Sequence, residues 1–250
     1  MKLWNKVHIH PFTYFVFFMV LLSGLYRYLV MVFVIVIFHE IGHILLAHLF
    51  KRKVIRVEIL PFGGLVKIDS YVSENIFKDL LIASGGILMQ LFLAIILLFL
   101  VNNNILQVKT YLILSMYNKL IIAFNLIPIF PLDGAKILKL LEELFIPFKQ
   151  TFIISFIISM LLIILCIIYK IELIYDNLLV FIFLLVMNYN EFKNRKFILY
   201  RFYLERINHD FKYKLIYINR VESMYKNKVH IIRGVDEKVY LKRKYFCKGK

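Results

Sequence analysis

The chain has 250 residues, 61% of them hydrophobic and 19% charged, against about 45–50% apolar and about 25% charged in ordinary soluble domains. A mean hydropathy of +0.76, with 24 Phe and 16 Tyr, is more apolar surface than one core of this length can hide. That excludes a water-soluble globule and requires lipid cover. The formal charge is +16, and residues 191–250 hold 17 basic and 6 acidic side chains, so +11 of the excess sits at the C-terminal end. No nucleic-acid recognition motif accompanies this basic tail, so it is expected to contact anionic lipid on the positive-inside pattern, and no nucleic acid is expected as a partner. Cys166 and Cys247 make no disulfide framework, and no small-residue cleavage site follows the first apolar run.

The hydropathy pattern predicts six helices of near-spanning length. The first covers Pro11 to Tyr26. The second covers Tyr28 to Phe50 and stops at Lys51, Arg52 and Lys53. Between it and the third lies Val54 to Tyr71, where β-branched residues and Phe62-Gly63-Gly64 predict two strands and a turn. The third helix covers Ile76 to Val101 and ends at Asn102-Asn103-Asn104. The fourth covers Tyr111 to Ile129, is broken by Pro128 and Pro131, and resumes after Asp133. The fifth, Thr151 to Tyr169, is the most uniformly apolar, and the sixth, Asn177 to Asn188, is the shortest. The expected fold is an all-α polytopic membrane protein with a short hairpin-like membrane-associated segment and a small cytosolic tail. Its expected division is 1–190, six spans, and 191–250, the tail. Lysine and arginine cluster at the amino terminus, after the second helix, after the fourth, and in the tail, so both termini are expected in the cytosol.

Ionisable residues inside spans are costly and mark function. The sharpest group is His39-Glu40-Ile41-Gly42-His43. Histidines four apart share one face of a helix and can reach one metal, and a glutamate beside the first can take a proton from an attacking water. Two core histidines bonded only to carbonyls would bury imidazoles and a carboxylate in lipid without a metal, at considerable cost. A catalytic zinc needs a third protein ligand. Asp133 is the candidate, because it follows Asn125-Leu126-Ile127-Pro128-Ile129-Phe130-Pro131-Leu132, and interrupted backbone at membrane depth is tolerated where it lines a cavity. His43 precedes Lys51 by about 12 Å of helix and Asp133 precedes Lys136 by one turn, so both lie toward the cytosolic leaflet.

The pairing of His39-Glu40-x-x-His43 with an Asn-x-x-Pro-x-x-Pro-x-Asp-Gly motif at Asn125 to Gly134 resembles the site-2 protease family of intramembrane metalloproteases. The resemblance implies His39, His43 and Asp133 as ligands of one Zn2+ per chain, Glu40 as general base, and Asn125, Pro128 and Pro131 as lining of the substrate cleft. His10-Pro11-Phe12, Leu60-Pro61-Phe62-Gly63-Gly64 and Phe202-Tyr203-Leu204-Glu205-Arg206 are most similar to the sporulation branch of that family. That branch implies a membrane-associated substrate, the pro-sequence of a sigma factor of the pro-sigma-K kind, membrane regulatory partner proteins, and a location around the forespore facing the mother cell. Where relatives show Ala-Gly-Pro in the third span, this chain has Ser84-Gly85-Gly86-Ile87, which points to helix packing. Relatives of the branch carry a cytosolic CBS-like domain, and residues 191–250 have room only for a reduced or incomplete one.

The substrate must be extended to expose its scissile bond. An edge of the Val54 to Tyr71 segment can pair with it, with Phe62, Gly63 and Gly64 expected at the contact. The rival readings are a metal transporter using the same His, His and Asp, and a proteolytically silent relative. A transporter predicts further acidic or histidine residues along a path across the membrane, and the spans hold few.

Overall fold

The computed structural model describes residues 7–9, 11–24, 26–60, 63–69, 75–169 and 171–245. In order the elements are β1 (Val7–Ile9), α1 (Pro11–Leu22), α2 (Tyr26–Leu49), β2 (Lys53–Leu60), β3 (Gly63–Asp69), α3 (Ile76–Asn102), α4 (Val108–Leu126) and α5 (Asp133–Phe145), then α6 (Phe148–Tyr169), α7 (Ile171–Asn208), β4 (Lys214–Ile218), β5 (Lys228–Ile232), β6 (Val235–Asp236) and α8 (Glu237–Tyr245). They fall into two units, one of residues 1–70 and 81–126, the other of residues 71–80 and 127–250.

In the first unit α1 stops where Gly24 takes φ +72°, a left-handed conformation that ends helices at little cost only for glycine. The expected hairpin is present. β2 and β3 pair antiparallel from Lys53↔Asp69 to Leu60↔Gly63, with a register shift between Val54 and Arg56. β1 lies parallel on the other side of β2, Val7↔Val57 to Ile9↔Ile59, so β3 is an edge of the sheet. Ala47 of α2, Val54 of β2 and Ile82 of α3 are buried together. A second cluster joins Ile35 to Leu93 and Leu97, with Tyr111, Leu114 and Tyr117 of α4 packed on it. The turn after α3 uses Asn103, whose Nδ2 donates to Phe99 O at 2.8 Å, and Asn104, at φ +58°.

In the second unit, α5, α6 and α7 carry a C-terminal lobe of β4, β5, β6 and α8. β4 runs parallel to β5, Lys214↔Lys228 to Ile218↔Ile232, and β5 turns antiparallel into β6. Phe148 and Phe152 of α6, Phe202, Tyr203 and Ile207 of α7, and Val221, Met224, Ile232 and Leu241 of the lobe form one core. Phe148 N–H also donates to Met224 O at 2.9 Å. At the centre is Arg206, 0% exposed. Its guanidinium donates to the carbonyls of Lys228 (2.8 Å), Tyr225 (3.1 Å) and Lys226 (2.5 Å) and lies 3.4 Å from Glu237 Oε1. Two of those carbonyls, of Tyr225 and Lys226, belong to the crossover entering β5, and the third is that of Lys228, the first residue of the strand. The rings of Phe202, Phe211 and Tyr213 pack against the same guanidinium.

Among the described residues, three helices are long and apolar enough to cross a membrane: Tyr26–Leu49, Ile76–Asn102 and Phe148–Ile168. Each leaves large apolar side chains exposed, such as Leu45, Phe99 and Leu161, as a lipid-facing helix must. The chain is mostly helical but not all-α, because two three-stranded sheets occur among the described residues. The segment expected as a separate sixth helix, Asn177 to Asn188, is part of the 38-residue α7, which runs through residue 190 to Asn208. The tail is folded from Lys214 to Tyr245. Hydropathy missed this because Lys214-Leu-Ile-Tyr-Ile218 and Lys228-Val-His-Ile-Ile232 are short apolar runs among many cations.

Replacing Arg206 with Met should destabilise the lobe by about 3–5 kcal/mol, since Glu237 would remain buried without its cation. Arg206→Lys should not restore it, because one ammonium cannot reproduce the planar fork. The measurement is limited proteolysis of the purified chain, with cleavage between residues 209 and 245 as the signal of opening.

Candidate metal centre

The buried residues of α2 are Ile35, His39, Gly42, His43 and Ala47, spaced so that they form one stripe. This stripe meets α3 at backbone distance. A Cβ on Gly42 would lie 2.2 Å from Gly85 O and 2.7 Å from Met89 Cβ, and one on Gly86 would lie 2.3 Å from Cε1 of His39 and 2.5 Å from both its ring nitrogens. The glycines of Ser84-Gly85-Gly86 therefore do pack helices together, and the second of them makes the bed on which the His39 ring lies.

That contact orients both imidazoles. His43 Nδ1 lies 2.8 Å from Ile82 O, and a carbonyl only accepts, so Nδ1 carries the proton and Nε2 presents a lone pair. His39 Nδ1 lies 3.0 Å from Gln90 Oε1, which sets the same tautomer. Gln90 is fully buried, and its backbone carbonyl accepts from Asn118 Nδ2 at 3.0 Å. The two Nε2 atoms then face each other at 3.2 Å. That arrangement fits a metal held through the two Nε2 atoms. Histidines bound to metal characteristically donate their other N–H in this way.

Asp133 is the first residue of α5 and is 3% exposed, with Oδ1 accepting from Lys136 Nζ at 2.8 Å. Ligand atoms of His39, His43 and Asp133 lie within 4.8 Å of one another, and all three residues are buried. Two imidazole nitrogens and a carboxylate oxygen are the donor set of a catalytic zinc site with room for a fourth ligand. Among the described residues this is the group of three or more such side chains able to hold an ion.

Glu40 is half-buried and points to a different neighbour. A Cβ on Gly64 would lie 2.4 Å from Glu40 Cδ and 2.6 Å from its Oε1, so the Glu40 carboxyl lies against the main chain of edge strand β3. Gly63 opens β3, opposite Leu60. Phe62 and Pro61 lie outside the described residues, as does His10. Asn125 Nδ2 donates to Ile121 O at 3.0 Å within its own helix. Pro128 O accepts from Ser159 Oγ at 3.1 Å. Pro131 follows a cis peptide bond in the turn that ends at Leu132, where α5 begins. The sequence reading missed Gln90, Asn118 and Gly42. Gln90 was visible as a polar residue inside the apolar run of α3, and nothing local marked it as a partner of His39.

Residues 27–111 match the family model described as Peptidase family M50. Over 145 residues the chain is 33% identical to stage IV sporulation protein FB of Bacillus subtilis, an alignment that takes in 58% of this chain and 50% of that protein. Over 113 residues it is 33% identical to a zinc metalloprotease of Methanocaldococcus jannaschii, covering 44% of this chain and 32% of that protein. The chain thus spans half or less of the length of these curated relatives. Among solved structures, a site-2 protease from Methanocaldococcus jannaschii superposes with a TM-score of 0.59 at 24% identity, covering 74% of this chain and 89% of that one, which establishes the fold.

The glycine contacts separate two effects. Gly86→Ala should weaken zinc binding by about tenfold or more, because the new methyl displaces the His39 ring, whereas Gly64→Ala meets Glu40 and should leave zinc affinity unchanged. Competition with a chelator of known affinity, on the purified chain, measures both.

Proposed function

We propose that this chain, which matches the Peptidase family M50 model over residues 27–111 and shares the fold of a site-2 protease, is an intramembrane zinc metallopeptidase that cleaves a membrane-associated precursor near the cytosolic face. The observation that carries the reading is the convergence of His39, His43 and Asp133, with the imidazole Nε2 atoms turned toward each other by Ile82 O and Gln90. These three side chains would hold one zinc, which supplies Lewis acidity toward a carbonyl oxygen. Glu40 takes the proton of the attacking water and returns it to the leaving amine. The lipid-exposed helices around the site exclude bulk water.

Substrate alignment is assigned to β3. Its outer edge can accept an extended segment as an added strand, and Gly64 keeps main chain and Glu40 in contact, which brings the peptide plane of an added strand within reach of the base. Asn125, Pro128 and Pro131, with Phe62, Gly63 and Gly64, are assigned to the cleft on the family resemblance. The substrate assigned is the pro-sequence of a sporulation sigma factor of the pro-sigma-K kind, supported by the similarity to stage IV sporulation protein FB. Membrane regulatory partners, contact of the basic C-terminal region with anionic lipid, six spans and cytosolic termini belong to the same reading.

Two substitutions test it. Glu40→Gln should keep zinc and lose about 10² to 10⁴ in rate. Asp133→Ala should lower zinc content as well, since two histidines leave the ion short of a ligand. A Glu40→Gln chain that cleaves a pro-sigma-K substrate at the parent rate would favour metal transport instead. Topology is read separately: single cysteines at Ser73 and Asn103, without Cys166 and Cys247, should react with an impermeant maleimide from opposite sides of the membrane.

A further inference from the structure

Lys226 stands in the crossover that leads into β5, yet its side chain is only 5% exposed. Its Nζ lies 2.9 Å from Asp79 Oδ2, in the first turn of α3, and 3.1 Å from Glu143 Oε2, in the last turn of α5. Both carboxylates are also largely buried, at 12% and 3% side-chain exposure. Burial works against the ammonium, but Glu143 and Asp79 outweigh it and hold its pKa above the ordinary lysine value. The main chain at Lys226 is fixed independently, because Arg206 donates to its carbonyl and to that of Tyr225. Lys226 is therefore a rigid post with an ammonium at its tip.

The helix that this post holds is the one that begins with Asp133. α5 has 13 residues, so Glu143 stands about 15 Å along the axis from Asp133 at 1.5 Å per residue. Further contacts fix the same half of α5. Ser155 Oγ of α6 donates to Glu142 Oε2 at 2.8 Å, and Lys139 Nζ lies 3.6 Å from the centre of the Phe152 ring. Those contacts set how α5 faces α6. The ion pair to Lys226 sets how far α5 can slide along its own axis, and a helix transmits an axial shift undiminished from one end to the other.

We propose that Lys226 is a positioning residue for the metal centre: from the C-terminal lobe it fixes the axial register of α5 and thereby the position of Asp133. The lobe is then a working part of the peptidase rather than only a lipid-contacting tail. This rests on the reading of Asp133 as a metal ligand. It also assigns a task to a lysine that charge counting places among the lipid-facing cations.

The test uses the full chain and zinc alone as the probe. Lys226→Met should weaken zinc binding by about 2- to 30-fold, the range of coupling carried through a packed element, and Lys226→Arg should restore it. A triple variant, Asp79→Asn with Glu143→Gln and Lys226→Met, removes the buried charges together with the tie and so keeps the chain folded if Lys226→Met alone does not. It should bind zinc as weakly as Lys226→Met. Parent-like zinc affinity in the triple variant would overturn the proposal, because Lys226 would then serve only to neutralise two carboxylates. Loss of thermal stability with unchanged zinc affinity would overturn it too. If Asp133→Ala itself leaves zinc affinity unchanged, the ligand assignment fails, and the comparison among the Lys226 variants shows that failure to be distinct.

Discussion

The centre depends on the absence of side chains where α2 meets α3. Gly42 and Gly85 bring the two backbones so close that a methyl on either would strike a main-chain carbonyl, at 2.2 Å or 2.8 Å. A carbonyl inside a helix cannot rotate away as a side chain could, so one methyl would push the helices apart. Overpacking of this kind costs about 1–3 kcal/mol. In lipid the consequence is sharper, because close packing by small residues is itself what holds membrane helices together. Only at this separation does His43 Nδ1 reach Ile82 O and does the His39 ring lie on Gly86.

From that contact the polar chemistry follows in sequence. A neutral imidazole has one donor and one acceptor, and each Nδ1 is committed to an oxygen of α3. The acceptors of both rings therefore have no choice but to converge. Two ring nitrogens brought together beside a buried carboxylate make a donor set suited to a cation. Gln90 is held in turn by Asn118, which extends the chain of bonds into α4. This chain explains why polar residues persist in two of the most apolar stretches of the sequence.

The cluster of His39, His43 and Asp133 was legible because its members obey a local rule. Two histidines at a spacing of four lie on one helix face whatever surrounds them, and a proline-broken segment before Asp133 announces a helix start. The hairpin was legible for the same reason, since β-branched residues and Gly63-Gly64 act within a few positions of one another. What stayed hidden depends on partners distant in sequence. α7 continues past Asn190 although its residues change from apolar to charged there, because the helix is held by packing on α6 and the lobe, with Phe156 stacked on Phe192 at 4.1 Å. The parallel pairing of β4 with β5 needs a crossover whose stability comes from Arg206, thirteen residues before the crossover begins. β1 adds to a strand more than forty residues away.

The basic C-terminal region shows why a charge count misleads about function. Its cations have two roles that the count cannot separate. Those on α8, such as Lys242, Arg243 and Lys244, are exposed, and a cation of that kind is worth on the order of 1 kcal/mol beside an anionic surface. Arg206 and Lys226 are buried and face inward. A buried cation leaves an uncompensated carboxylate or carbonyl if it is removed, so its loss costs far more than the loss of a surface charge. These two are joined through the carbonyl of Lys226 itself, which Arg206 binds while the ammonium of the same residue holds Glu143 and Asp79. A disturbance of the lobe therefore reaches the far end of the helix that starts at Asp133, and the net charge of the region is a poor guide to which of its residues the centre needs.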